Sequence, residues 1–450
     1  MRTQAGLLSG RPAGERDRAS GRALLIAGVA VAALAAAAYL AALATHPMAA
    51  TLKGFDLQVY LGGAHEALHH SADLYSWIYQ GHPGIQFTYT PFAALVFAAG
   101  LAIPFKALMA GVAIVSTVAL VASVWIAFRE LGWRPAARLG ATLLVSGLVF
   151  WTEPVQRGLF LGQVELTLMG LVVWDLCQPD KRPWKGALTG IAAGIDLIPL
   201  VYIAYLVVTK RFKQAAVAIG TFVVTIIIGF AVLPHPSVTW WLDGDFFQAA
   251  RTGFVGSQQN QSLRGMMTRF IGSVNGAYVP WIVVALVAAV VGLAAAVLLD
   301  RGGHAFAGLM AAALTGLLVS PISWDHHWVW IAPGLAVLVD AGARARTAMG
   351  RMAWYLLAAA VLAAFGAWPD FWSRTAGLLE GGLINYAPAT SFAHGDNPAY
   401  AEYHWHGLQL LAGNLELLVG LGLFLVAAVA AIRVLALSPK NARFGVLPWR

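Results

Sequence analysis

Asp56 stands in the run Lys53-Gly54-Phe55-Asp56-Leu57-Gln58-Val59-Tyr60, just beyond a long apolar stretch. A carboxylate at a water interface can act as general base, taking the proton of a sugar hydroxyl held within hydrogen-bond reach. The same residue type ahead of Leu57–His70 also suits a helix N-cap, and spacing alone leaves both readings open. A second dense group is Ser320-Pro321-Ile322-Ser323-Trp324-Asp325-His326-His327-Trp328. Its histidines can clamp a phosphate or bind metal. Neighbouring helical positions point about 100° apart, which disfavours one shared ion. Trp324 and Trp328 also suit an interfacial aromatic belt.

Arg264 follows Asn260-Gln261-Ser262-Leu263, with Arg251 and Arg269 near it. Arginine is built for bidentate phosphate contact, although a loop arginine is often merely solvated. A third group gathers His394, Asp396, Glu402, Tyr403, His404, Trp405 and His406. Rings beside carboxylates bind carbohydrate, and they equally form interface belts. Gly162-Gln163-Val164-Glu165 and Asp196 place polar groups at or within apolar runs, where ionisable residues are functional candidates. Glu153 and Arg157 read as a local i,i+4 pair.

The elements that must carry these groups are membrane helices. Of the 450 residues, 59% are hydrophobic and 11% charged, too few charges to cover a water-facing surface. Apolar runs near the ~20 residues that span a bilayer predict an all-α polytopic membrane protein with about 12 transmembrane helices and outward-facing loops. The two-residue alternation of an outer-membrane barrel is absent. The net charge of +8 sits in short clusters between apolar runs, the pattern of the positive-inside rule and not of nucleic-acid binding. Cys177, the single cysteine, leaves no intrachain disulfide and no cysteine zinc site.

Residues 1–22 are expected to be a cytoplasmic segment, 23–437 a single transmembrane domain and 438–450 a cytoplasmic tail. The apolar stretch Ala23–Thr45 is too long for a cleaved signal core and reads as a retained first helix. Beyond Lys210 every basic cluster falls on the side of the N-terminus, which puts Pro47–Thr88, Pro234–Gly276, Ser320–His327 and Pro369–Gly407 outside. Between Tyr89 and Thr209 the candidate spans are Pro91–Ile103, Ala107–Phe128, Ala137–Phe150, Leu159–Cys177 and Gly186–Val208. The charge rule is better met if Gly186–Val208 is two half-helices broken near Pro199, and broken backbone at membrane depth must line a cavity or be buried.

Gly54-Phe55-Asp56, Phe87-Thr88-Tyr89-Thr90-Pro91, Gly162-Gln163, Asn260-Gln261-Ser262 and Ser320–His327, in this order, resemble glycosyltransferase family 87. The resemblance runs from Arg22 to about Arg433. It implies the C-type glycosyltransferase fold, Asp56 as catalytic base and polyprenyl-phosphate mannose as donor. His326, His327 and Arg264 are then expected to bind the donor phosphate. Tyr60, Tyr89, Gln163 and Glu165 are expected to bind substrate, together with Asn260, Gln261, Trp324, His404 and Trp405. The implied acceptor is a phosphatidylinositol mannoside, the product an α-1,2 linkage on the outer face of the plasma membrane, and no cofactor or metal is called for. One departure is Asp196, where this family often carries lysine.

A β-linked mannosyl phosphate that becomes an α-mannoside requires inversion, hence one in-line displacement. The lipid phosphate leaves as a stable anion and needs positive charge more than a general acid. Within the family the alternatives are a lipomannan-branching mannosyltransferase or an arabinofuranosyltransferase. From another class, a transporter or flippase would put its binding residues at mid-membrane in repeated broken helices, whereas here the polar residues concentrate in outward loops and no repeat is visible.

Overall fold

The structure, a computed structural model, describes residues 13–45, 52–81, 85–367, 381–390 and 396–437. The expected tail 438–450, most of the segment 1–22, and parts of two outward loops, His394 included, lie outside the described residues. All regular structure among the described residues is helical, with only isolated β-bridges.

Among the described residues, five helices are long and apolar enough to cross a membrane: Gly21–Thr45 within Ala13–Thr45, Phe105–Glu130, Phe212–Val232, Tyr278–Arg301 and Leu415–Ala436 within Leu415–Leu437. The remaining apolar sequence is divided. Pro91–Ala102, Pro135–Val149, Ala305–Val319 and Ala348–Ala364 are shorter. The stretch expected as one span, Leu159–Cys177, is instead bent: Glu153–Leu161 and Glu165–Leu176 meet at 116°. Against the dozen crossings expected from hydropathy, the described residues hold five or six spans of full length, with the rest of the apolar sequence in shorter pieces.

Of the two readings of Gly186–Val208, one span or two half-helices, the structure shows the second, broken at Asp196–Pro199. Ala187–Ile195 ends at Asp196, and Leu200–Val208 starts after Pro199. Proline cannot donate its backbone nitrogen to the preceding turn, and Asp196 Oδ1 accepts the Ile198 N–H at 2.9 Å in place of a helical carbonyl.

Local chemistry explains several motifs. Thr90 caps Pro91–Ala98 by accepting the Ala93 N–H at 3.1 Å, with Pro91 at the first helical position, where its missing donor costs nothing. Ser262 caps Leu263–Ile271 through the Gly265 N–H at 3.1 Å. Gly54 and Gly162 both adopt left-handed backbone, with φ of 63° and 76°. A Cβ at Gly54 would lie 2.9 Å from Met109 Sδ, and one at Gly162 would lie 2.8 Å from Leu57 Cβ. Only glycine tolerates both conditions. Gly54 N–H donates to Phe160 O at 2.7 Å, so the helix bearing Asp56 is tied to the turn bearing Gln163. Trp328, Tyr202, Phe87, Phe128 and Phe365 are among the largest fully buried side chains and fill the core behind these turns.

Candidate active site

Helix ends and turns converge on a cavity of about 1630 Å³. Small-ligand pockets typically hold roughly 300–1,000 Å³, so this one has room for two substrates. Asp56, Tyr60, Tyr89, Gln163, Arg264, Trp324, His326 and His327 all line it. They come from five separate stretches of sequence.

Asp56 is the second residue of Phe55–His69. That helix is capped by Gly54, and no side chain caps it, so the N-cap reading of Asp56 falls. Its carboxylate is instead held by Gln163, whose Nε2 donates to Oδ2. Gln163 Oε1 accepts from the Tyr60 hydroxyl, which lies 2.9 Å from the Tyr89 hydroxyl. Burial raises the Asp56 carboxyl above its ordinary value, while His326, Arg157 and the Gln163 bond pull it back. A buried carboxylate with a raised pKa and a fixed direction suits a general base.

Opposite the base chemistry is a cation. His326 Nδ1–H donates to Asp325 Oδ1 at 3.1 Å, and Asp325 Oδ2 lies 2.9 Å from Arg157 Nε. Burial alone would lower the His326 pKa, but the hydrogen bond to Asp325 and the charges of Asp325, Glu165 and Asp56 hold it above the usual imidazole value. Among the described residues its Nε2 has no hydrogen-bond partner. His327 is pushed well below the ordinary value by burial and by His326, so the two neighbouring rings are shifted in opposite directions, His326 toward its charged form and His327 toward its neutral one.

Glu165 lies behind this pair, with Oε1 3.7 Å from His327 Nε2 and 3.4 Å from the Tyr89 hydroxyl. Glu165, His326 and His327 bring three possible ligand atoms within 4.8 Å of one another. The argument against a shared ion does not hold here, because the reach of the imidazole arms outweighs the angular offset between neighbours. A His326 ring that keeps both protons has no lone pair to give, so that proton decides between anion and metal at this corner.

Arg264 borders the cavity, its guanidinium 5.3 Å from the Tyr278 ring and 5.0 Å from the Trp281 ring. Stacking fixes the fork while leaving its edge for an anion. Beside it an apolar wall formed by Leu200, Val201, Leu293 and Val319 comes from membrane helices.

Five expected substrate contacts sit elsewhere: Glu165 lines a small separate pocket behind the histidines, and four more are engaged within the protein. Asn260 and Gln261 are fully buried. Asn260 Oδ1 accepts the Ser323 N–H at 3.0 Å and Gln261 Nε2 donates to Gly413 O at 2.8 Å, while Gln261 N–H donates to Ser323 O at 2.7 Å. They template the Ser320–His327 turn, and backbone partners consume their amides. Trp405 Nε1 donates to Pro388 O, and His404 Nε2 pairs with Pro398 O, outside the cavity lining. Conversely, Arg157, Asp325 and Asp196 border the cavity. Asp325, directly before the two histidines, was the available signal for the ion pair.

The family model for glycosyltransferase family 87 matches residues 87–321. The chain belongs to glycosyltransferase family 87. It is 33% identical over 306 residues, 66% of this chain and 69% of the relative, to a polyprenol-phosphate-mannose-dependent alpha-(1-2)-phosphatidylinositol pentamannoside mannosyltransferase of Mycobacterium tuberculosis. A protein of the same description from Mycolicibacterium smegmatis is 31% identical over 319 residues, 68% of this chain and 74% of that relative. A phosphatidylinositol mannoside mannosyltransferase of Mycobacterium tuberculosis is 28% identical over 274 residues, covering 58% of this chain and 64% of its own. No solved structure matches the chain. Family 87 membership makes this membrane protein a glycosyltransferase and disfavours the transporter reading.

Proposed function

We propose that the protein transfers mannose from polyprenyl-phosphate mannose to a phosphatidylinositol mannoside, forming an α-1,2 linkage with inversion. The observation that carries this reading is the buried Asp56 carboxylate sharing one cavity with the His326 cation, within a family 87 chain whose relatives bear that activity.

Asp56 takes the acceptor hydroxyl proton as that oxygen attacks the anomeric carbon. The new C–O bond forms as the bond from C1 to the phosphate oxygen breaks, and the electron pair leaves with the phosphate. His326 Nε2–H and Arg264 meet the second negative charge that develops there. Tyr60, Tyr89 and Gln163 line the cavity around the base and offer hydroxyl and amide groups to a sugar. The apolar wall by Leu200 and Leu293 suits the polyprenyl chain. Asp196 in the same cavity offers an acceptor oxygen to a sugar hydroxyl.

The reaction is assigned to the outer face of the plasma membrane on the distribution of basic clusters. His404 and Arg344, both exposed, test this: a cysteine at 404 should react with an impermeant thiol reagent in intact cells and one at 344 should not. The reverse pattern overturns the orientation.

The activity test is purified protein in nanodiscs with labelled polyprenyl-phosphate mannose and a panel of mannolipids. An α-1,2-mannosyl product on a phosphatidylinositol mannoside is expected. Transfer only to lipomannan, or only from an arabinofuranosyl donor, would move the protein to another branch of the family.

A further inference from the structure

Both proposed substrates are anchored in the membrane, and one apolar wall serves one tail. A second apolar edge of the cavity lies in the segment Val238–Phe247. Trp240, Phe246 and Phe247 line the cavity. Leu242 and Phe247 are nevertheless 71% and 76% exposed, while the charged Asp245 is turned in, its Oδ2 3.0 Å from Arg251 Nη1. Asp243 is exposed beside Leu242 and Trp240 is buried, so the segment presents two large apolar side chains outward next to a single charge, more apolar surface than a short polar loop in water usually shows.

The segment also runs back along a membrane helix. It follows Phe212–Val232, and the Trp241 ring packs 5.9 Å from Phe222 at the middle of that helix. Phe222 lies ten residues before Val232, about 15 Å along the axis at 1.5 Å per residue. The outer surface of this helix exposes Val224, Ile227 and Val232. The chain of rings from Trp241 through Phe246 to Phe247, with centroids 5.6 and 3.8 Å apart, continues that surface to the cavity edge. The segment is two short helical turns, Val238–Leu242 and Asp245–Phe247, joined at Asp243 and Gly244, and non-helical backbone at such a depth must line a cavity or be buried in protein; this segment lines one.

We propose that Val238–Phe247 is a re-entrant lip in the outer part of the bilayer over which a diacylated acceptor lipid enters, its acyl chains on Leu242 and Phe247 and its glycan inside the cavity. The donor tail uses the wall near Leu200 and Leu293. This assignment rests on the transfer reading above for the identity of the lipid, but the depth of the lip does not.

Two measurements separate the two. In nanodiscs, a nitroxide on Leu242→Cys in a Cys177→Ala background should be more accessible to oxygen than to a water-soluble nickel chelate. A label at His404→Cys should show the reverse. Equal nickel access at both sites places the lip in water and overturns the proposal, whatever the enzyme transfers. A lipid-buried label with no mannosyl transfer supports the lip and sinks the transfer reading. In the kinetic arm, Leu242→Asp/Phe247→Asp should lower the ratio of kcat/KM for diacylated over deacylated acceptor at least about tenfold, the size of effect expected for losing lipid contact at two apolar side chains. The donor KM should stay constant, which also reports a folded site. An unchanged ratio, or a donor KM that rises instead, overturns the assignment to the acceptor.

Discussion

Arg157 Nε stands 2.9 Å from Asp325 Oδ2, and the other oxygen of Asp325 takes the Nδ1–H of His326 at 3.1 Å. The arrangement orients the imidazole and keeps it charged, so Asp325 acts through His326 and is a positioning residue. Its substitution should change a pH profile and not only a rate. The His326 charge is present below its raised pKa and lost as pH rises through it. Asp325→Asn removes a hydrogen-bonded negative charge and lowers that pKa, so the alkaline limb of kcat/KM should move to lower pH. Above neutrality the loss should reach on the order of 10²-fold, as for one electrostatic contact to a developing anion, and it should shrink in mildly acid buffer. A uniform loss at every pH would make Asp325 merely structural.

Asp56→Asn separates base from bystander. Because Gly54 caps the helix and no side chain does, asparagine gains no capping role that could compensate for the lost base. General-base catalysis contributes about 10²–10⁴-fold, so transfer should fall by that order while labelled donor still binds. Near-normal turnover by a folded Asp56→Asn protein would remove the central residue of the mechanism.

What the sequence disclosed were groups whose meaning is local. Asp56 follows an apolar run, two histidines sit between tryptophans, and Pro199 breaks a helix within view of its neighbours. What it hid were relations across long separations. Arg157 has an acidic residue four positions back in Glu153, which makes a local pair the natural reading, and nothing in the sequence signals that the fold brings it to Asp325. The bend at Gly162–Val164 vanishes in a hydropathy sum, because Leu159–Leu161 before it and the mostly apolar Leu166–Leu176 after it merge into one run, and only the left-handed φ of Gly162 betrays the turn. Asn260 and Gln261 look like substrate amides until the backbone of Ser323 and Gly413 claims them. Polar residue type reports that a hydrogen bond is needed, but not whether its partner is a ligand or a carbonyl.

Metal removal should leave transfer unchanged. Asp325 holds the His326 pKa above the ordinary imidazole value, and a ring that keeps both protons cannot ligate, which leaves only Glu165 and His327 of the three candidate ligands. The departing phosphate can draw its compensating charge from His326 and Arg264. Activity after dialysis against EDTA, then with manganese, magnesium or zinc restored, checks this. A loss reversed by one of these ions would assign Glu165, His326 and His327 as its ligands and overturn the metal-free mechanism.

Gln163→Glu tests how the base is tuned. Gln163 Nε2 donates to Asp56 while its Oε1 accepts from Tyr60, so the substitution preserves shape and the Tyr60 contact. It removes the donor that stabilises ionised Asp56 and sets a second carboxylate beside it. Both changes favour the protonated form, and the two acids will titrate as a pair. Asp56 works only when deprotonated, so activity is lost as pH falls through its pKa, and the acid limb of kcat/KM should move toward neutrality. A displacement on the order of one unit lowers the rate about tenfold on the acid side, with a smaller loss on the alkaline side where both carboxylates are ionised. If Gln163 only fills the turn after Gly162, the acid limb stays where it is and only the overall rate changes. A pH–rate profile of the folded Gln163→Glu protein with unchanged donor KM decides between the two, and an unmoved acid limb would strip Gln163 of its role on the base.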